Sequence, residues 1–168
     1  MYVEVADFDY TSLDASTGAI VMGPIIRSIQ ADDRGPWEAL WRAYLTFYGA
    51  VQEPDAMELT WQRLLEPEEP VHGLVAELDG AIFGLVHFVY HRSTWTSGPC
   101  CYLQDLFTAE AARGQGVGTA LIGAVCERAK ADGANRVYWL THESNDVARA
   151  LYDKIAIRSG FIQYRRQL

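Results

Sequence analysis

Apolar positions along the chain change their period several times, and each change marks an element. From Pro24, Ile25-Ile26-Arg27-Ser28-Ile29 reads as a short strand. Trp37, Leu40, Trp41, Tyr44, Leu45 and Tyr48 then recur at three- and four-residue steps. That is one apolar face of a helix, with Asp32 and Asp33 as candidate N-caps. Met57, Trp61, Leu64 and Leu65 predict a second helix, stopped by Glu66-Pro67-Glu68-Glu69-Pro70. Val71 to Leu78 and Ala81 to Tyr90 read as strands around Asp79-Gly80, a signal for a tight hairpin. Tyr102 to Thr108 is a further strand. Leu121, Ile122, Val125, Cys126 and Ala129 predict a helix that ends near Asp132-Gly133. Arg136 to Leu140 reads as a strand, Val147 to Lys154 as a helix and Phe161 to Arg166 as a last strand. The order β-α-α-β-β-β-α-β-α-β predicts an α/β fold with an antiparallel first half and a βαβ crossover in the second. Residues 1–24 are polar and turn-rich, and are expected to be an extension with no assigned role.

Composition narrows the class. With 168 residues, 49% of them apolar and 12% aromatic, the chain has material for one ordinary core. No stretch approaches the roughly 20 apolar residues needed to span a bilayer. The first residues carry neither a basic region nor an apolar run, so a cytoplasmic protein without membrane contact is expected. Lys plus Arg number 14 against 22 Asp plus Glu, a formal net charge of −8. That excess argues against nucleic acid and suits a cationic small molecule or a basic peptide. The cysteines, Cys100, Cys101 and Cys126, lack metal-ligand spacing and read as reduced thiols. His87 and His91 share a strand face but have no third ligand, so core or rim histidines are expected and no metal.

The most informative stretch runs strand, loop, helix: Leu106-Phe107-Thr108-Ala109-Glu110-Ala111-Ala112-Arg113-Gly114-Gln115-Gly116-Val117-Gly118-Thr119. Alternating glycines let backbone approach a ligand, and the following helix points its unpaired N–H groups at the same place. Together they predict a phosphate cradle. A nucleotide P-loop is excluded because no lysine follows Gly118, and the Rossmann spacing fails because its last glycine position holds Thr119 or Leu121.

Arg113-Gly114-Gln115-Gly116-Val117-Gly118 does match the Arg/Gln-x-x-Gly-x-Gly/Ala pattern of the GNAT (GCN5-related) N-acetyltransferases, and the chain resembles that family. Asn145, Ala148, Leu151-Tyr152 and Gly160-Phe161 resemble its second signature, with Ile155-Ala156-Ile157-Arg158 lengthening the gap before Gly160. The resemblance spans residues 25–168. It implies a single GNAT-like domain with a mixed, mostly antiparallel sheet flanked by helices, acetyl-coenzyme A (acetyl-CoA) as co-substrate, and a homodimer. It also implies that Arg113 to Thr119 bind the pyrophosphate and Asn145 contacts the cofactor. Backbone groups of Leu106, Phe107 and Thr108 would bond the pantetheine and thioester where two parallel strands splay.

Amide formation from a thioester further needs an acid for the departing thiolate and a base for the amine. Tyr152, a phenol protonated at neutral pH, is the expected acid. Tyr102-Leu103-Gln104-Asp105-Leu106-Phe107 resembles the strand of the polyamine and thialysine acetyltransferase branch, Leu-Glu-Asp-Phe-Phe. Gln104 replaces its first acid. Either Asp105 takes over through a bulge, or the base is Glu143 or His142, or the amine arrives deprotonated. Gln104 and Trp95 are candidate substrate contacts, Trp95 through cation–π contact. The expected reaction is direct acetyl transfer to a primary amine, polyamine or lysine-like. Acetylation of lysines in protein tails and a non-catalytic coenzyme A sensor are the alternatives.

Overall fold

The computed structural model describes Ser12–Leu13, Ile20–Val21 and residues 23–168. β1 (Ser12–Leu13) and β2 (Ile20–Val21) pair antiparallel. They fall within the expected extension, the rest of which, up to residue 22, lies outside the described residues. The main sheet begins with β3 (Ile25–Ser28), and a short 3-10 turn leads into α1 (Arg34–Phe47) and then α2 (Pro54–Leu65). β4 (Val71–Leu78), β5 (Ala81–His91) and β6 (Cys100–Thr108) follow, then α3 (Val117–Ala131), β7 (Arg136–Tyr138) and α4 (Asp146–Ile155). Strand order is β3-β4-β5-β6-β7, antiparallel throughout except that β6 and β7 run parallel.

Consecutive residues of β4 and β5 are buried on opposite faces, which is why both strands read as nearly continuous apolar runs. Leu74, Ala76, Val86 and Phe88 pack under α3 with Val117, Leu121 and Val125. Val75 and Leu85 face the other way, against Trp37, Leu40 and Trp41 of α1 and Met57, Trp61 and Leu64 of α2. Asp33 fixes the start of α1. Its carboxylate takes two hydrogen bonds from the Arg27 guanidinium, at 2.7 and 2.9 Å, and one from the Gln30 N–H at 2.8 Å.

Two expectations are corrected. β7 stops at Tyr138 rather than Leu140. The expected last strand, Phe161 to Arg166, is absent: residues 157–168 form no element, and Phe161, Ile162 and Tyr164 are 85%, 73% and 86% exposed. Alternation predicts which side chains would share a face, but a strand also needs a partner edge, and here the segment pairs with none.

Candidate active site

The site is built where β6 loses its second neighbour. β7 pairs with β6 only across Cys100–Tyr102, while β6 continues to Thr108. From Leu103 onward one edge of β6 is therefore unpaired among the described residues. Ala109 donates its N–H to the Phe83 carbonyl at 2.8 Å. By ladder alternation the Phe107 amide turns to β5, while those of Leu106 and Thr108 face the opening. The three backbone donors expected from sequence thus reduce to two. Phe107 instead meets the Tyr44 ring edge-on at 6.3 Å.

The glycine loop lies at the end of this open edge. Gly114 and Gly116 have φ of 76° and 80°, and a Cβ on either would meet nothing within 4 Å among the described residues. Their requirement is conformational: an L side chain resists that backbone, while no described residue crowds the space above it. Gly116 caps α3, and the first helical bond runs from Ala120 N–H to Gly116 O. The amides of Val117, Gly118 and Thr119 have no helical acceptor, and with the helix dipole they form a cradle for an anion. Arg113 is exposed beside it, and Gln115 Nε2 donates back to the Ala111 carbonyl at 2.9 Å. These backbone donors fit a pyrophosphate.

Two faces of the sheet meet at the opening. On the α3 side, Tyr152 of α4 is half-buried, its ring 5.4 Å from that of Trp139. Burial, then the nearby Tyr48, push its phenol up to about 12. It therefore holds its proton across the neutral range. Asn145 caps α4, its Oδ1 accepting from Ala148 N–H at 3.4 Å, which leaves its amide N–H groups available.

On the α1 side is Asp105. Leu103 pairs with Phe88 but Asp105 pairs with His87, so Gln104 is an extra residue in β6. This bulge turns Asp105 inward onto the α1 face, 8% exposed, and leaves Gln104 at the surface. Asp105 Oδ1 accepts from the Tyr44 hydroxyl at 2.8 Å, and Oδ2 lies 3.2 Å from His87 Nδ1. Burial, then the Asp105 charge, drive the Tyr44 phenol well above its usual range, so it serves as a donor. Tyr48 lies against Tyr44, ring centroids 5.0 Å apart and edge-on.

Trp95 is not brought to this place. Its loop precedes Cys100 at the far end of β6, about 17 Å along the strand from Asp105, and Trp95 is 81% exposed. Glu143 and His142 are exposed beyond β7, with His142 Nδ1 engaged by Ser144 at 2.7 Å. His87 is in the core and His91 at the rim, where its Nε2 meets the Tyr138 hydroxyl at 2.9 Å. The Cys101 thiol is buried and pushed up to about 12, too weakly acidic to act as a nucleophile. Tyr44, Tyr48 and His87 were missed as site residues. The only local signal was that two members of the α1 apolar stripe, four residues apart, carry hydroxyls.

The model of the acetyltransferase (GNAT) family matches residues 37–156, so the chain belongs to that family and is an N-acetyltransferase. It is 32% identical over 144 residues to the D-amino-acid N-acetyltransferase of Saccharomyces cerevisiae, covering 84% of this chain and 89% of that one. It is 36% identical over 91 residues to the thialysine N-epsilon-acetyltransferase of Mus musculus, covering 48% and 52%. Among solved structures, the aminoglycoside acetyltransferase AAC(6')-Iy in complex with a bisubstrate analogue superposes with a TM-score of 0.74 at 18% identity, covering 85% and 97%. At that identity the likeness is one of fold. The family transfers acetyl groups from acetyl-CoA to amines.

Proposed function

We propose that this enzyme acetylates the primary amine of a small, amino-acid-sized substrate, lysine-like or related, by direct attack within a ternary complex. The observation that carries this reading is the placement of Tyr152 and Asp105 on opposite faces of the sheet, either side of the open β6 edge. The α3 amides, Arg113, Gly114, Gln115, Gly116, Val117, Gly118 and Thr119 would hold the pyrophosphate of acetyl-CoA, with Asn145 beside them. The Leu106 and Thr108 backbone would hold the pantetheine arm and polarise the carbonyl. Acetyl-CoA supplies the activated acyl group.

Asp105 receives the amine. An alkyl ammonium is only about one part in a thousand free amine at pH 7, so a carboxylate at the opening both attracts the cation and takes its proton. Tyr152 donates a proton to the departing thiolate. A net charge of −8 favours a cationic substrate. Two relatives are named for D-amino acids and for thialysine, which supports an amino acid over a polyamine. We also read the chain as a homodimer; the exposed apolar side chains of Ile157, Phe161, Ile162 and Tyr164 support this, and sedimentation velocity across a concentration series tests it.

Release of coenzyme A should be followed with D- and L-amino acids, thialysine, spermidine, an aminoglycoside and a basic tail peptide. A no-amine blank controls for the protein's own thiols. Turnover with an amino acid or thialysine is expected. Turnover with the peptide alone would assign the enzyme to protein tails. Acetyl-CoA binding without turnover on any amine would make the chain a sensor.

A further inference from the structure

The groups around Asp105 have fixed donor and acceptor capacities, and these determine where the protons are. An indole N–H can only donate. Trp37 donates its Nε1–H to His87 Nε2 at 2.9 Å, so that nitrogen supplies its lone pair and carries no proton. The ring proton therefore sits on Nδ1 and donates to Asp105 Oδ2 at 3.2 Å. An imidazolium would set a second N–H against the indole N–H. The relay Trp37 to His87 to Asp105 runs in one direction, and it begins on a side chain with no exposed surface.

We propose that His87 is a positioning residue for Asp105, fixed by Trp37 as its Nδ1–H tautomer so that its one N–H aims the carboxylate at the incoming amine. The proposal rests on the reading of Asp105 given above. Each carboxylate oxygen already takes one hydrogen bond from the protein, from Tyr44 and from His87. A carboxylate has about four acceptor sites, so Asp105 keeps acceptor capacity for an amine N–H. A neutral donor orients the group without cancelling its charge, which the amine needs. The wall behind His87 is aromatic: Trp37 and Trp41 stand 6.0 and 4.9 Å from its ring. The ring therefore has little room to turn, and the bulge at Gln104 sets Asp105 directly opposite it.

Steady-state kinetics on His87→Leu, His87→Asn and His87→Gln, each in the parent and Asp105→Asn backgrounds, test this. Acetyl-CoA and amine are varied separately. Asparagine places an amide N–H near the position of Nδ1, whereas glutamine reaches only that of Nε2. We expect His87→Leu and His87→Gln to lower kcat about tenfold or more and His87→Asn to stay within about threefold, with the KM for acetyl-CoA unchanged. In the Asp105→Asn background all three should change kcat by less than about twofold. Equal losses in both backgrounds, or equal rates for the asparagine and glutamine variants, would overturn the proposal and leave His87 as packing. If His87→Leu fails to fold, the asparagine and glutamine pair decides. An Asp105→Asn enzyme as active as the parent would remove the Asp105 reading itself, and the positioning role with it.

Discussion

Tyr152 meets Trp139 edge-on, ring centroids 5.4 Å apart at 65°, and Trp139 is the first residue after β7 parts from β6. The same departure that frees the edge of β6 thus supplies the surface that orients the phenol. α4 has no fully buried residue, and Leu151 and Tyr152 are its apolar contacts with the main core.

Tyr152→Phe keeps the ring and its packing and removes only the hydroxyl. Turnover should fall by about two to four orders of magnitude, the range for losing a general acid. Acetyl-CoA affinity and melting temperature should stay close to those of the parent. Calorimetric titration with acetyl-CoA beside steady-state rates checks both. Unchanged turnover would strike Tyr152 from the mechanism.

Gly116 and Gly118 look alike in the sequence and differ in the structure. Gly116 needs φ of 80°, so alanine there costs about 1–2 kcal/mol and distorts the amides proposed to hold the pyrophosphate. A Cβ on Gly118 would sit 3.8 Å from Leu151 Cδ2 and 3.9 Å from Thr108 Oγ1, ordinary contacts. Gly116→Ala should therefore lower both melting temperature and acetyl-CoA affinity, while Gly118→Ala should leave the melting temperature alone. Equal losses at both positions would count against a conformational origin.

The cradle was legible because its signal is local: a strand, three alternating glycines and an amphipathic helix are adjacent in the chain. The α/β order was legible for the same reason, since periods of 2 and 3.6 can be read segment by segment. What was hidden depends on partners far away in sequence. The one-residue slip at Gln104 is a property of the β5–β6 pair, and it alone decides which face Asp105 occupies. Asp105 through a bulge stood as one of several open choices. Tyr44 contributes to the helix stripe like any aromatic, and its hydroxyl gains meaning only from a carboxylate 61 positions on. The missing last strand shows the converse, a good local pattern without an edge to pair with.

Gly84 lies under the start of α3. A Cβ there would come 2.7 Å from Val117 Cγ1 and 3.1 Å from Leu121 Cδ1, both buried. Gly84→Ala should therefore destabilise by about 1–3 kcal/mol, the usual cost of overpacking. Pushing α3 outward should also raise the KM for acetyl-CoA. Val117→Ala in the same chain makes room, so the double variant should recover part of the loss. Additive losses in urea unfolding would show that the two side chains do not compete for this space.

Asp33 ties the same kind of geometry to pH. Arg27, by hydrogen bonding first of all, holds its carboxyl below the usual carboxylate range, against the opposing effect of burial. A group depressed in the folded state contributes stability that is present above its unfolded pKa. That stability is lost as pH falls through the ordinary carboxylate range towards the folded value. Asp33→Asn keeps the shape but removes the charge and leaves Glu77, at 3.0 Å, as the remaining carboxylate on Arg27. At pH 7 the variant should be less stable by about 1–3 kcal/mol, and the gap should narrow steadily below about pH 4. A gap independent of pH would mean that the Gln30 contact, not the charge, holds this corner. Because Asp33 anchors the helix that carries Trp37 and Tyr44, the variant should also lose kcat in proportion to how far α1 shifts from His87 and Asp105. Tyr44→Phe in the Asp33→Asn chain separates the two effects. If α1 has already moved, removing the hydroxyl should cost less there than in the parent.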